Sequence, residues 1–311
     1  MGRLFDVYIA VDWSARSAPS PIKPAQDALW VSEKLVPDLA DMEEAPGETY
    51  CRTRQACIAH IYARLLHHVA VGRRVLVGFD FPYGYPAGYA TALGLDGHAP
   101  PWRRIWDELR RLIMDDAANR NNRFVVAAAL NARCGGPESG PLWGCPIGVH
   151  LATLAPVSPR YPYLVRAGLA LERMRWTDRQ VRGVQSVWKL YGTGSVGGQA
   201  LVGIPAVCRL RDDPVLATVS RVWPFETGFR PDPTADRGPA VVYAEVWPGI
   251  VPEPLDPAVA VRDQAQVRAV VRWLARLDAA GELGRLFAGP AGLSARAWAD
   301  GVAEEGWILG G

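Results

Sequence analysis

Four acidic residues stand where the chain could do chemistry with them. Asp80 closes the run Arg74-Val-Leu-Val-Gly-Phe79 and is followed at once by Phe81-Pro-Tyr-Gly-Tyr-Pro86. Val75, Leu76, Val77 and Phe79 form an apolar stretch of strand length, buried on both faces and short for a helix. The Pro/Gly/Tyr turn then stops it. Asp12 closes a second such run, Asp6-Val-Tyr-Ile-Ala-Val-Asp12, ahead of Trp13-Ser14. Glu245 ends a third, Ala240-Val-Val-Tyr-Ala-Glu245, and Asp263 lies early in the last long helical segment. The carboxyl ends of buried strands are where α/β sites form. Two carboxylates on neighbouring strands, about 4.8 Å apart, repel. A Mg²⁺ ion, which takes one or two protein carboxylates and keeps several waters, offsets that repulsion. Each acid also has a plainer role open to it. Asp80 can bond its own turn, and Asp263 complements a helix dipole. Glu245 is costly in an apolar strand unless paired, and either such a cation or an arginine would pair it.

The elements that must position these groups follow from periodicity. In the strand Asp6–Asp12, Val7, Ile9 and Val11 take one face, and Tyr8, Ala10 and Asp12 the other. Residues 27–33 read as a second strand, with 34–36 as its continuation or a third, before a polar, acidic loop to Thr49. Residues 52–71 read as a helix, with Ile58, Ile61, Leu65, Leu66 and Val69 as its stripe and Gly72 as its stop. The strand at 74–81 comes next. A helical crossover makes the strands ending at Asp12 and Asp80 parallel, so both carboxylates emerge at one sheet edge. Further helices are expected at 102–117, 165–174, 199–210, 257–280, 282–287 and 294–304, and further strands at 216–222 and 240–245. Residues 118–160 lack a pattern. They read as an insertion lying over the sheet edge, within a larger insertion at about 100–235 of one elaborated domain spanning 1–311. The tail from Glu305 is expected to fold back as a strand or extended segment.

Composition bounds the partners. At 49% hydrophobic and 21% charged, the 311 residues can build a real core. A net charge of +2 gives no global basic field for nucleic acid. Five cysteines without a C-x-x-C pair disfavour a disulfide framework or zinc knuckle and fit a reducing, cytoplasmic setting. No signal segment or membrane span is read, and oligomeric state is not legible. A local basic track would have to come from Arg103, Arg104, Arg110, Arg111, Arg120, Arg123, Arg173, Arg175, Arg179 and Arg182. Trp102, Trp106, Trp143, Trp176 and Trp188 lie among them as stacking candidates or core.

Lys189-Leu-Tyr-Gly192-Thr-Gly194-Ser195-Val-Gly197-Gly198 precedes a helix, where backbone N–H groups can hold an anion. It matches neither a P-loop nor G-x-G-x-x-G after a strand, and a flexible glycine linker explains it as well.

Tyr8-Ile-Ala-Val-Asp12-Trp-Ser14, Val77-Gly-Phe-Asp80-Phe-Pro82, Ala244-Glu245-Val-Trp-Pro248 and Arg262-Asp263-Gln264 together resemble the ribonuclease H-like superfamily. Within it they resemble a predicted-nuclease family called domain of unknown function 429. Lys189 with its glycines, and Glu305-Gly-Trp307, also look like that family, with no role assigned by chemistry. The resemblance implies an α/β fold with a mixed five-stranded sheet, three antiparallel strands then two parallel, and helices on both faces. It implies Mg²⁺ or Mn²⁺ held by Asp12, Asp80 and Asp263, with Asp12 bridging two ions and Glu245 as a ligand or water-positioning group. Gln266 stands where superfamily members often carry a second late-helix acid. Ser14, Lys189, Gly194 and Ser195 are the candidates for substrate contact. The expected function is a metal-dependent phosphodiester hydrolase, a nuclease, with nucleic acid as partner. A catalytically inert nucleic-acid or protein-binding module and an actin-like ATP-dependent phosphotransferase are the alternatives.

Overall fold

A single six-stranded sheet forms the frame, its strands in the spatial order 47–51, 29–35, 7–12, 74–79, 240–245 and 220–222. The computed structural model describes residues 2–36, 44–136, 139–165, 168–234 and 238–311. Strand β1 (Val7–Asp12) pairs antiparallel with β2 (Leu29–Leu35), and β2 with β3 (Gly47–Cys51). On its other side β1 runs parallel to β4 (Arg74–Phe79), which is parallel to β8 (Ala240–Glu245) and through it to β7 (Ser220–Val222). The crossover between β1/β2/β3 and β4 is α1 (Arg54–Ala70), capped by the Thr53 side chain, which accepts from Ala56 N–H at 3.3 Å.

Strand alternation divides the core in two. Val7, Ile9 and Val11 of β1, Val75, Val77 and Phe79 of β4, and Val241 and Tyr243 of β8 face one cluster. Against it pack α1 and the mid-chain helices α2 (Tyr89–Ala92), α3 (Pro101–Leu112), α4 (Arg123–Cys134) and α5 (Val196–Arg211). Tyr8, Ala10, Leu76, Val242 and Ala244 face the other cluster. That side is covered by α6 (Arg262–Ala279), which lies across β1 and β2, with α7 (Leu283–Phe287) and α8 (Ala295–Asp300) beyond. Gly78 is a glycine because the chain leaving β8 presses on it: a Cβ would stand 2.6 Å from Val246 Cγ1.

Several expectations are corrected. The sheet has six strands, not five. The extra edge strand β7 comes from within the stretch read as an insertion, so part of 100–235 belongs to the sheet. The loop expected to run to Thr49 contains β3; its residues 37–43 lie outside those described. Residues 118–160 are not without pattern, because α4 occupies 123–134. Around 165–174 the described residues form a two-stranded hairpin, β5 (Tyr163–Leu164) with β6 (Ala170–Leu171), rather than a helix, and 166–167 lie outside the described residues. Helix α3 ends at Leu112, since Asp115 bridges to Asn121 in the turn that follows. Helix α6 starts at Arg262, five residues later than expected, because Asp256 holds a turn through Ala258 N–H. The tail does return as an extended segment: Ile308 bridges to Glu245, and Leu309 N–H donates to Glu245 O at 2.9 Å.

Candidate functional site

Asp12 and Asp80 emerge side by side at the carboxyl edge of β1 and β4. Asp80 N–H donates to Val11 O at 3.2 Å, and Trp13 N–H donates to Asp80 Oδ1 at 2.8 Å. The two carboxyls are within hydrogen-bonding reach of each other. Burial, then the charge and contact of Asp80, hold Asp12 well above the usual carboxylate range. Burial pushes Asp80 up to about 6, against its bonds to Asp12 and Trp13 N–H. Such a pair carries one proton between two carboxyls, or a cation in its place.

Asp263 joins them from the first turn of α6. Its charge acts on both Asp12 and Asp80, and burial raises its own pKa. The alternation explains the meeting. Asp12 continues the Tyr8–Ala10 face, and Asp80 the Leu76–Gly78 face, which is the side that α6 covers. A fourth acid, Asp27, completes the group and was not anticipated. In the left-handed region at φ 52°, it offers its N–H to Asp263 Oδ2 at 2.7 Å and its carbonyl to Ser14 Oγ at 3.2 Å. The one sequence signal for it is an Asp just ahead of a strand, in a conformation that Asp tolerates.

Glu245 is not part of this group. Register pairs it with Phe79, so it follows Val241 and Tyr243 to the opposite face from Asp12 and Asp80. There Arg175, only 1% exposed, grips it twice, Nη1 to Oε2 at 2.7 Å and Nη2 to Oε1 at 2.6 Å. Tyr83 N–H adds a bond of 3.1 Å. Arg175 also holds Asp178, Nη2 to Oδ1 at 2.7 Å, and donates to Glu305 O at 3.0 Å. Of the two partners open to Glu245, the arginine is the one it has. Glu304 and Glu305 acquire a role as well. They accept from Gly88, Ala90, Ala87 and Trp176 N–H, fixing the turn after Asp80 to the 175–179 segment. A narrow cleft of about 20 Å³ joins the two groups, with Asp80, Arg175, Glu245, Gln185 and Val196 on its walls.

The glycine-rich loop ends at this cleft. Ser195 precedes α5 without a side-chain cap bond, and Gln199 Nε2 donates to Trp13 O. Gly197 and Gly198 serve close packing. A Cβ on Gly197 would collide with Val187 O, and one on Gly198 would stand 2.7 Å from Leu190 O. Gly194 is exposed at φ 71°; Lys189 is turned to Thr193 O at 2.5 Å and over the Trp143 ring at 5.7 Å. Ser14 is buried against Asp27.

The expected basic track is largely consumed within the protein. Arg103 and Arg110 pair with Asp212, Arg111 with Glu108, Arg120 with Asp116 and Arg179 with Glu172. Trp102, Trp106 and Trp188 are core. Among the described residues, one group of three side chains offers ligand atoms within 4.8 Å of one another: Asp107, Cys208 and Asp212. It could hold a metal ion, although Arg103 already bridges its two carboxylates and burial lifts the Cys208 thiol to about 11. Asp12, Asp80 and Asp263 form a looser set. No helix among the described residues is long and apolar enough to cross a membrane.

The chain has no match among protein-family models, curated proteins or solved structures.

Proposed function

We propose that the protein is a divalent-metal-dependent phosphodiester hydrolase, a nuclease built on a ribonuclease H-like frame. The observation that carries this reading is the Asp12–Asp80 pair with Asp263 facing it from α6. The sheet supports it too: β3-β2-β1 antiparallel, then β4 and β8 parallel, is the arrangement that the motifs imply, with β7 added at the edge. The donors fit Mg²⁺ or Mn²⁺, being hard carboxylate oxygens, two of which, on Asp12 and Asp80, lie closely enough to need a proton or a cation between them. Asp12, Asp80 and Asp263 would hold the metal, which when bound supplies a water of lowered pKa and a counter-charge for the phosphate. Trp13 N–H fixes the Asp80 carboxylate through Oδ1, and Asp27 N–H does the same for Asp263 through Oδ2. Glu245, locked to Arg175, shapes the cleft wall.

The test is calorimetric titration of Mg²⁺ and Mn²⁺ into wild type and into Asp12→Asn/Asp80→Asn, then assays on single- and double-stranded DNA and RNA. Binding and hydrolysis by wild type, both lost in a folded double mutant, are expected. Hydrolysis that survives the double substitution would sink the proposal. One observation favours a catalytically inert binding module instead: the paired arginines leave little basic surface for a strand. That reading, an inert protein-binding module, expects neither oligonucleotide binding nor cleavage in saturating Mn²⁺.

A further inference from the structure

Three arginines are buried among the described residues, and they are not alike. Arg54 is paired with Asp115 at 2.6 Å, and Arg175 with Asp178 and Glu245. Arg123, at the start of α4 and 7% exposed, has no carboxylate within ion-pair distance among the described residues. Both of its side-chain hydrogen bonds leave from Nη1, to Ser17 Oγ and Asn121 Oδ1 at 2.8 Å each, and Nε has no partner. Asp115, the acid whose charge acts on it, is already taken by Arg54 in a bidentate grip. Arg123 is therefore left without an ion-pair partner beside a second buried guanidinium, and burial with the Arg54 charge lowers its pKa to about 10. A buried charge left in this state is unfavourable unless an anion joins it.

The surroundings point the same way. Arg123 Nε lies against the first turn of α5, 3.5 Å from where a Gly198 Cβ would stand. That end of the helix has no acidic residue in its first turn and no side-chain cap, so its positive dipole end adds to the arginine. Gly197 N–H is spent on Lys189 O and Gly198 N–H on Ser195 O, so the helix contributes its dipole and not a cradle of N–H groups. Ser17 belongs to the loop that leaves Asp12, and Gln199 ties α5 to Trp13. The guanidinium also covers the Phe124 ring at 4.3 Å, and Phe124 meets the half-exposed ring of Tyr191 edge-on at 6.3 Å.

We propose that Arg123, with Ser17 Oγ and the amino end of α5, binds a phosphate group of a single-stranded nucleic acid, with the neighbouring base against Tyr191. That this strand is the substrate of the acidic site rests on the function proposed above; the anion site itself does not. It is tested in EDTA, where the acids hold no metal, by calorimetry with inorganic phosphate and with a pentathymidylate. Wild type is expected to bind both, and Arg123→Gln to bind both at least about tenfold more weakly, as for a lost charge-assisted bond. Tyr191→Ala should weaken the pentathymidylate about fivefold or more and leave phosphate unchanged. Asp12→Asn should bind both like wild type. The proposal is overturned if wild type binds neither probe, or if folded Arg123→Gln binds as tightly as wild type. Should Arg123→Gln not fold, pentathymidylate binding by Tyr191→Ala equal to wild type overturns it. Anion binding in EDTA by a protein that takes no Mg²⁺ or Mn²⁺ would refute the metal-dependent reading and leave this site standing. The reverse result would refute this site alone.

Discussion

Asp12 and Asp80 spend their neighbourhood's stability on proximity. The folded pKa of Asp80 is raised from the ordinary carboxyl value of 3.8 to about 6, and Asp12 is raised as well. The folded state thus holds more protons than the unfolded one across that window. The contribution is fully present below the unfolded pKa and is lost as pH rises through about 6. In metal-free buffer, the Tm of wild type should therefore fall from pH 5 to pH 7.5 more steeply than that of Asp80→Asn. At pH 7.5 the mutant should be the more stable by roughly 1–3 kcal/mol. Equal pH slopes in thermal melts would show that the two carboxyls do not share a proton. Saturating Mn²⁺ should reverse the ranking, because only wild type gains binding free energy. These residues were legible because each interrupts an apolar period. Glu245 interrupts one too, but a single step of alternation turned it to the other face, toward an arginine seventy residues away. Nothing local in the sequence encodes that pairing.

Among the elements, the segment carrying Arg175 behaves as a strap from the mid-chain stretch to β8 and the tail. Arg175→Met would leave Glu245 and Asp178 buried without their cation. We expect a loss of roughly 3–5 kcal/mol in chemical denaturation. A loss below about 1 kcal/mol would mean that the strap is held by something else. Gly197→Ala should push the amino end of α5 off the 187–190 segment, costing about 1–3 kcal/mol; an unchanged midpoint would refute the close approach. Helices α1 and α6 and strands β1, β4 and β8 could be read ahead of the structure because their apolar periods are clean. Strand β3 could not, since Gly47-Glu-Thr-Tyr-Cys51 is an edge strand with its first four residues partly or fully exposed. Helix α4 was hidden by the Asn-rich turn before it, where Asn119 adopts φ 64° and holds α1 through Arg54 N–H at 2.9 Å. The hairpin at 163–171 is two residues per strand, too short for any period to show.

At the scale of the whole molecule, both the first residues and the 304–309 segment are tied into the fold. Asp278 of α6 accepts from Leu4 N–H, Phe5 N–H and the Tyr8 hydroxyl, the last at 2.5 Å. At the other end, Trp307, Ile308 and Leu309 are buried, and Glu304 and Glu305 hold the turn after Asp80. Deleting residues 306–311 removes three buried side chains, each contributing about 1.5–3 kcal/mol. The truncated protein should melt earlier and bind Mn²⁺ more weakly in calorimetry; wild-type values for both would refute a structural role for the tail. The return of this tail was legible, but its partners were not, since they lie more than 200 residues away in sequence for the turn contacts. This closure also has a bearing on biosynthesis. A chain leaves the ribosome amino end first. The walls around Asp80 therefore stay unfinished until the 304–309 segment has been made, so the turn that follows Asp80 waits on partners synthesised more than 200 residues later.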